Sequence, residues 1–525
     1  MKNFYRAFSV TALLSVVAAA LGQATSAPSP QIPAEPPPVI ARVSEHPVRF
    51  GDLPTPRQFV TRHKTTIRGR TLSYTATAGE IYITNASGEP IASFFSFAYV
   101  KDEPVDSRRP VMFVFNGGPG SASIWLHIGI FGPKRVVLDS EVNPSNTPPF
   151  GLQSNPYSVL DVTDLVFIDP VGTGFSHAVG NAKDLDFASV DADADSVARF
   201  IEQWLSRNGR WTSPKYVAGE SYGSIRAAVL PRALMGGPFY AGVMRGITLD
   251  GIVLLGVTLN GSDTAADGPD PAALSLPSLA VTAWYHNKID RAGRNAVQLY
   301  DEVKAFAATE YADALRRLKS DSLSEADERR IAAKLEAYTA LPAQKWIRAS
   351  LRIPVQAYAK QLLAGQGLEA GIYDSRYTLP LAASGADPVA DDPAMGRYVP
   401  GLVAAFNEMM RNDLKVDMDI PYTAIRFELA FKWDFARTGV PERQSYAADL
   451  ATAMRRTPKL RVLVAAGYYD MLTTPAAAES QVKAGGLPAD RVTFKNYESG
   501  HMLYLGNTAE RFAADVRTLI DGQPR

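Results

Sequence analysis

Short, continuously apolar runs alternate with helix-like periods along most of the chain. Runs that end at turn residues are typical of buried strands, and they occupy residues 111–115, 165–168, 252–257 and 462–465, with a further strand predicted at 215–218. Between Val197 and Leu205 the apolar residues recur on one helical face, and a second apolar helix is predicted to contain Ile225 to Leu234. This alternation predicts an α/β fold with a mainly parallel sheet covered by helices on both faces.

Two regions depart from this alternation. Residues 72–99 are rich in Thr, Tyr, Phe and Ile, which predicts a strand meander. Residues 262–455 are charged and mostly helical in period, which predicts a helical cap inserted over one edge of the sheet. The predicted core therefore has a first part at 41–261 and a second part at 456–525.

The N-terminal end predicts export. Lys2 and Arg6 precede a mostly apolar stretch at 8–21, and small residues that offer cleavage points follow at Gly22, Ala24 and Ala27. The apolar stretch is shorter than the roughly 20 residues that span a bilayer, so residues 1–27 are interpreted as a signal peptide rather than an anchor. Dense prolines in residues 28–40 predict an extended linker.

The charge balance and the cysteine content restrict the partners and the cellular compartment that can be expected for this protein. The chain has 54 basic and 54 acidic residues, which disfavours nucleic acid as a partner, and it has no cysteine. An exported, disulfide-free protein of this size suits a bacterial periplasm or secretion to the medium. No metal cluster or cofactor motif is apparent, and no membrane contact is expected after removal of the signal. The sequence leaves the oligomeric state open.

A candidate nucleophile lies in Gly219-Glu220-Ser221-Tyr222-Gly223. This pentapeptide follows a predicted strand and precedes a predicted helix, which is the context of a nucleophile elbow. The glycines allow a sharp turn, and the serine hydroxyl then projects at the N-terminus of the helix, where negative charge is favoured. Ser221 is therefore the predicted nucleophile.

A base and an acid must follow the serine in such folds, in the order Ser, acid, His. This order leaves His286 and His501, and His501 is favoured because it lies in a glycine-led loop beyond the last predicted strand, 492–494. Asp470 lies just past another predicted strand and is the best candidate to orient the imidazole. The predicted triad is Ser221, Asp470 and His501.

A glycine-rich turn, Asn116-Gly117-Gly118-Pro119-Gly120-Ser121, follows the predicted strand at 111–115. Its backbone N–H groups suit a tetrahedral oxyanion, and the Gly118 and Tyr222 amides are the predicted pair. A plain tight turn is one alternative. A phosphate-binding loop is excluded, because no Lys-Ser/Thr pair follows and the glycine spacing is wrong.

Taken together, these segments resemble the serine carboxypeptidase family (peptidase family S10). The matching segments occur in the family's order, and they are Asn116 to Gly120, Asp169 to Ser176, Gly219 to Gly223, Gly467 to Asp470, and Gly500 to Met502. The resemblance implies an α/β-hydrolase core with an inserted cap and the release of C-terminal amino acids from peptides. It also implies that Asn116, the Gly117 amide and Glu220 bind the substrate's free carboxylate. Glu220 can donate to a carboxylate only when protonated, which implies a preference for acid pH.

Four positions depart from the family pattern. Related sequences usually carry Glu where this chain has Ile130, which weakens the expected acid preference and C-terminal recognition. The other departures are Ser121 for Cys, Tyr468 for Asp, and Leu503-Tyr504 for Val-Pro. The cap has no segment that aligns with the family, so side-chain specificity is not implied.

Three other functions compete with a carboxypeptidase. A carboxypeptidase-like acyltransferase or esterase fits the same triad, and Ile130 weakens the argument for carboxylate recognition. An aminopeptidase similar to the proline iminopeptidases needs acidic groups for an amine, whereas Asn116 beside Glu220 better suits a carboxylate. A non-catalytic binding protein has no need of all three triad groups.

Overall fold

The computed structural model describes residues 50–103, 106–238, 241–259, 268–437 and 445–522. The predicted signal peptide and proline-rich linker lie outside the described residues. Within those ranges, none of the helices combines the length and apolar character needed to cross a membrane.

Fourteen strands form in the described ranges, and most belong to one sheet. They are β1 Gln58–Ile67, β2 Arg70–Thr84, β3 Pro90–Lys101, β4 Val111–Phe115, β5 Lys134–Val137, β6 Gly151–Ser154, β7 Asp164–Ile168, β8 His177–Ala178, β9 Lys215–Glu220, β10 Gly251–Leu255, β11 Leu368–Ala370, β12 Thr378–Pro380, β13 Arg461–Gly467 and β14 Val492–Tyr497.

The main sheet has the strand order β1-β2-β3-β7-β4-β9-β10-β13-β14, and β8 pairs with β3. The pairs β1–β2, β2–β3 and β3–β7 are antiparallel, whereas every pair from β7 to β14 is parallel. The central strands are buried along their whole length, as Lys215–Glu220 illustrates. The predicted α/β fold with a mostly parallel, doubly covered sheet is confirmed.

Fourteen α-helices are present in the same ranges. They are α1 Ile124–Leu126, α2 Val190–Arg207, α3 Tyr222–Met235, α4 Pro271–Tyr285, α5 Ala296–Phe306, α6 Ala312–Lys319, α7 Glu325–Thr339, α8 Ala343–Arg348, α9 Val355–Leu362, α10 Met395–Asn412, α11 Phe427–Phe431, α12 Tyr446–Arg456, α13 Pro475–Ala484 and α14 Ala509–Asp521. Turns of π-helix extend α1 over His127–Phe131 and join α5 to α6 over Ala307–Tyr311.

Helix α2 shows why the predicted period produces a packed helix. Ser189 caps its N-terminus by accepting a hydrogen bond from the Ala192 N–H. Asp191 and Asp193 lie in the first turn, where they complement the helix dipole. Its apolar residues face the sheet and are buried at Val197, Ala198, Phe200, Ile201, Trp204 and Leu205.

Alternating residues of the central strands point to opposite faces of the sheet and belong to two separate hydrophobic cores. Met112, Phe167 and Val253 lie in one core with α10 and α14, and Phe113, Val166 and Leu254 lie in the other with α2, α3 and α12. A third core is built from α4 to α9. Helices α10 and α12 fall inside the predicted cap range, yet they pack in the cores that cover the sheet. Periodicity identifies such a helix without indicating which surface it covers.

Candidate active site

Ser221 occupies a strained turn between β9 and α3. Its backbone has φ +57° and ψ −125°, outside the regions that most residues prefer. A side chain at Gly219 would place its Cβ 2.1 Å from the Gly223 carbonyl oxygen. At Gly223 the added Cβ would lie 3.2 Å from the carbonyl oxygens of Phe115 and Asn116. Both glycines are therefore required for the elbow to close against the end of β4.

Asp470 and His501 form a buried pair at the carboxyl ends of β13 and β14. His501 Nδ1 lies 2.8 Å from Asp470 Oδ2, and the two residues are 5% and 0% exposed. Asp470 Oδ1 accepts hydrogen bonds from the Leu472 and Thr473 N–H groups, and the Thr473 hydroxyl donates to Oδ2 at 2.5 Å. The carboxylate is thus fixed in a position that orients the imidazole.

Strand β10 brings the serine and the histidine to one place. The Ser221 N–H donates to the Leu255 carbonyl at 2.9 Å, and the next residue, Gly256, lies against the imidazole. A Cβ at Gly256 would be 2.7 Å from His501 Cε1. Within the described part of the chain, His501 Nε2 has no hydrogen-bond partner. This nitrogen is the one that a general base presents to a nucleophile.

The glycine turn packs directly on the elbow. A Cβ at Gly117 would lie 2.5 Å from the Tyr222 nitrogen, so the Gly117 backbone touches the start of α3. Gly118 has φ +99°, a conformation that glycine adopts readily. The Tyr222 N–H is the first of its helix and has no intrahelical acceptor. The two predicted oxyanion donors therefore lie on adjoining segments of backbone.

Asn116 and Glu220 meet beneath the serine, where they are 1% and 3% exposed. The Asn116 side-chain amide donates to Glu220 Oε2 in a short hydrogen bond, and its oxygen accepts from the Leu126 N–H at 3.1 Å. The Tyr504 hydroxyl donates to the same Oε2 at 3.1 Å. Glu220 Oε1 is buried and has no partner among the described residues.

The protonation of the site follows from burial. Burial raises the pKa of Glu220 to about 7, although the positive charge of His501 and the Tyr504 and Asn116 hydrogen bonds act in the opposite direction. Burial also lowers the pKa of His501, but the charge and hydrogen bond of Asp470 outweigh it, so the net pKa lies above its usual value. Near neutral pH, Glu220 is therefore partly protonated.

A buried ion pair supports the elbow from behind. Arg226 on α3 is 0% exposed, and its Nε donates to Asp193 Oδ2 at 2.7 Å. Its Nη1 donates to the Asn116 carbonyl at 2.7 Å, and the Tyr222 hydroxyl donates to Asp193 at 3.0 Å. Arg226 thereby links the glycine turn to the helix that follows the nucleophile.

Two segments of the predicted cap hold the site loops. The loop between β11 and β12 at residues 371–377, termed here the cap loop, accepts the His501 N–H on its Tyr373 carbonyl at 2.6 Å. The Tyr469 carbonyl accepts from the Ser375 N–H at 2.9 Å. Residues 425–426 pair with the glycine turn, where Ile425 forms a bridge with Ser121 and the Arg426 N–H donates to the Gly120 carbonyl at 2.7 Å.

The structure brings all the predicted site residues to one region, and it places His286 elsewhere. His286 Nε2 lies 2.7 Å from the Ser375 carbonyl of the cap loop, and His286 makes no hydrogen bond to Ser221 or Asp470 among the described residues. Sequence reasoning missed Thr473, Gly256, Arg226 and the cap loop. The sequence shows a Thr three residues after Asp470, but only the fold shows that its hydroxyl donates to the Asp470 carboxylate. Among the described residues, no cluster of three or more His, Asp or Glu could hold a metal ion.

The order Ser221, Asp470, His501 along the chain, at the carboxyl edge of a mostly parallel sheet, places this molecule in the class of α/β hydrolases. The model of one family within that class, the serine carboxypeptidases (Peptidase_S10), matches residues 72–500. The chain belongs to the serine carboxypeptidase family, as its motifs predict.

Curated relatives carry the same family name. Serine carboxypeptidase-like 12 of Arabidopsis thaliana is 29% identical over 160 residues, which are 30% of this chain and 35% of that protein. Serine carboxypeptidase-like 26 of Oryza sativa subsp. japonica is 28% identical over 148 residues, which are 28% of each chain. The matched stretch thus spans about a third or less of each relative.

Solved structures are similar only at a distance. A proline iminopeptidase of Mycobacterium smegmatis gives a TM-score of 0.34 at 15% identity, covering 84% of this chain and 98% of that one. A thermostable carboxyl esterase of Bacillus coagulans gives 0.32 at 12% identity, with coverages of 84% and 97%. The fold assignment rests on the sheet order and on the family match.

Proposed function

We propose that the protein is a serine carboxypeptidase that releases C-terminal amino acids from peptides through an acyl-enzyme on Ser221. One observation carries the proposal: the buried Asn116–Glu220 pair adjoins the triad, and burial raises the pKa of Glu220 to about 7. A neutral Glu220 and the Asn116 amide are donors that suit a substrate carboxylate, and the Gly117 N–H is the third proposed donor. A carboxylate held there would belong to the last residue of a peptide.

In the proposed reaction, Ser221 Oγ attacks the carbonyl carbon of the last peptide bond while His501 Nε2 takes its proton. The Gly118 and Tyr222 N–H groups hold the oxyanion. The C–N bond then breaks, and His501 returns the proton to the departing amine, which leaves as the free amino acid. Water, deprotonated by His501, attacks the ester and releases the shortened peptide and Ser221.

The test is hydrolysis of an N-blocked dipeptide and of its C-terminal amide by purified protein from pH 4 to 8. Cleavage of the free acid in preference to the amide, with the preference fading as pH rises through about 7, supports the proposal. Equal cleavage of the two compounds contradicts it. Hydrolysis of simple esters alone would assign the triad to an esterase or acyltransferase instead.

The Ser221→Ala variant is the control for contaminating peptidases. We expect it to fold and to lose turnover by a factor of at least about 10⁴, because the acyl-enzyme cannot form. A fluorophosphonate probe should label the parent protein and not the variant. Cleavage by the variant at the parent rate would exclude the mechanism.

We also propose that the protein is exported, on the strength of the N-terminal pattern at residues 1–27. The measurement is the N-terminal sequence of protein recovered from the medium and from the periplasmic fraction of a bacterial host. A mature chain starting after Gly22, Ala24 or Ala27 supports export, and intact protein confined to the cytosol contradicts it.

A further inference from the structure

The two carboxyl oxygens of Glu220 have different surroundings. Oε2 accepts hydrogen bonds from the Asn116 amide and from the Tyr504 hydroxyl, the latter at 3.1 Å. Oε1 is buried and has no partner among the described residues. A buried polar atom without a partner costs about 1–3 kcal/mol, so this oxygen is a position at which a bound group would be favoured.

Tyr504 reaches Glu220 from the loop that follows His501. Its ring lies on the backbone of α1's π-helical extension, where a Cβ at Gly129 would be 2.4 Å from Tyr504 Cε2. The neighbouring Ile130 is fully buried in the same apolar core and offers no polar group to Glu220. In this chain, the second polar partner of Glu220 is therefore the Tyr504 phenol, supplied from the loop after His501.

We infer that Tyr504 is a positioning residue that determines which oxygen of Glu220 carries the proton. With two donors on Oε2, the proton of neutral Glu220 belongs on Oε1, because a proton on Oε2 would face the two donor hydrogens. Oε1–H is then a donor directed away from Asn116 and Tyr504. This inference rests on the proposed function, since it gives that donor a substrate carboxylate to bind.

The groups that face Glu220 determine whether loss of the Tyr504 hydroxyl raises or lowers the pKa of Glu220. These are the charges of His501 and Asp470 and the hydrogen bonds from Tyr504 and Asn116. The Tyr504 hydroxyl stabilises the ionised carboxylate, so its removal raises the pKa of Glu220 further. Loss of the hydroxyl should thus weaken the orientation of the carboxyl group while keeping it neutral to higher pH.

The experiment measures binding in a Ser221→Ala background, so that no turnover occurs. An N-blocked dipeptide and its C-terminal amide are titrated calorimetrically from pH 5 to 9, in buffers of different ionisation enthalpy. In Ser221→Ala we expect the free acid to bind more tightly than the amide, with uptake of a proton above about pH 7. Equal affinities here would overturn the proposed carboxylate site and, with it, the role of Tyr504.

Adding Tyr504→Phe tests the inference itself. We expect free-acid affinity at pH 5 to fall about three- to tenfold, as for one lost hydrogen bond, with the amide unaffected. The midpoint of the pH dependence should move upward. An unchanged midpoint, or an equal loss for acid and amide, would overturn the inference while leaving the carboxylate site intact. Tyr497→Phe is the matched control, because the buried Tyr497 donates to Asp515 on α14 at 2.7 Å.

Glu220→Gln gives a second test that does not depend on the folding of Tyr504→Phe. If Asn116 and Tyr504 direct donors at one position, the Gln carbonyl must take the place of Oε2 and its NH₂ the place of Oε1. We then expect a preference for the free acid that no longer varies between pH 5 and 9. Loss of that preference would show that the two donors do not set the orientation, and would overturn the inference.

Discussion

At Gly256 the backbone passes so close to the His501 ring that a side chain has no room. An added Cβ would lie 2.7 Å from the ring Cε1 and 3.2 Å from Thr473 Oγ1, and φ is +51°. The contact arises between β10 and the loop after β14, which are far apart in sequence. Sequence motifs do not indicate such a contact, although Gly256 itself lies within the predicted strand at 252–257.

We expect Gly256→Ala to lower kcat by about 100-fold, because the imidazole must shift from the position in which Asp470 holds it. Gly367→Ala is the matched control. Gly367 has φ +70° with nothing within 4 Å of an added Cβ, so this variant carries the same backbone strain without the clash. Steady-state kinetics, with circular dichroism to confirm folding, provide the measurement. Equal kcat values for the two variants would contradict the proposed role of Gly256.

The role of some site residues could be predicted from their neighbours in the sequence, whereas the role of others follows only from tertiary contacts. Ser221 and the glycine turn were found because the residue types themselves impose a tight turn next to a strand. Tyr504 departs from the family pattern, and nothing in the neighbouring sequence indicates that its hydroxyl reaches Glu220. Arg226 looked like an ordinary helix residue, and its burial follows from packing between α3 and the glycine turn.

Among the secondary-structure elements, continuous apolar runs predicted the central strands well because those strands are buried on both faces. The sequence did not indicate β1, Gln58–Ile67, because polar residues occur on both sides of that strand and the apolar Val60 lies on the exposed side, so no alternation of apolar and polar residues is visible. The cap loop was equally hidden. Its contacts with the acid and histidine loops are made mainly by backbone groups, which carry no sequence signature.

Arg376 fastens the cap loop to the histidine loop. Its Nη2 donates to Asp374 at 2.7 Å, and Nη1 donates to Glu141 and to the Glu498 carbonyl, each at 3.1 Å. The residue is 6% exposed. Removing one member of such a buried network leaves uncompensated charge, which costs about 3–5 kcal/mol.

We therefore expect Arg376→Gln to lower the thermal midpoint and to reduce kcat about tenfold with little change in KM, because the His501 loop loses its support. Arg316→Gln is the control, since the Arg316 side chain is 75% exposed and pairs with Asp313 on the cap surface. Thermal melts and kinetics at one pH measure both effects. A variant as active and stable as the control would exclude a supporting role for Arg376.

At the scale of the whole molecule, the protonation of Glu220 should make the free energy of unfolding depend on pH. Burial raises its pKa from 4.5 to about 7, so the folded state holds the proton more tightly than the unfolded state. The resulting stabilisation is complete below pH 4.5 and is lost as pH rises through about 7. A shift of this size corresponds to about 3 kcal/mol.

The difference in the free energy of unfolding between Glu220→Gln and the parent protein should shift in favour of the variant from pH 4 to pH 8. The shift should reach up to about 3 kcal/mol, because the parent loses stability as Glu220 ionises and Gln does not ionise. The measurement is the difference in thermal midpoint between variant and parent at the two pH values. Glu325→Gln is the control, since the Glu325 side chain is 87% exposed and its variant should show no pH-dependent difference. The same difference at both pH values for Glu220→Gln would contradict the raised pKa.

The interruption of the sheet by the inserted region has a consequence for how the protein is made. Strand β10 ends at Leu255, and its neighbour β13 begins only at Arg461. A ribosome therefore delivers Ser221, the proposed nucleophile, long before Asp470 and His501, and pairing of such distant strands is slow. A half-made chain holds a serine that nothing can activate. We therefore expect the growing polypeptide to have no proposed base beside Ser221 until the final strands are in place.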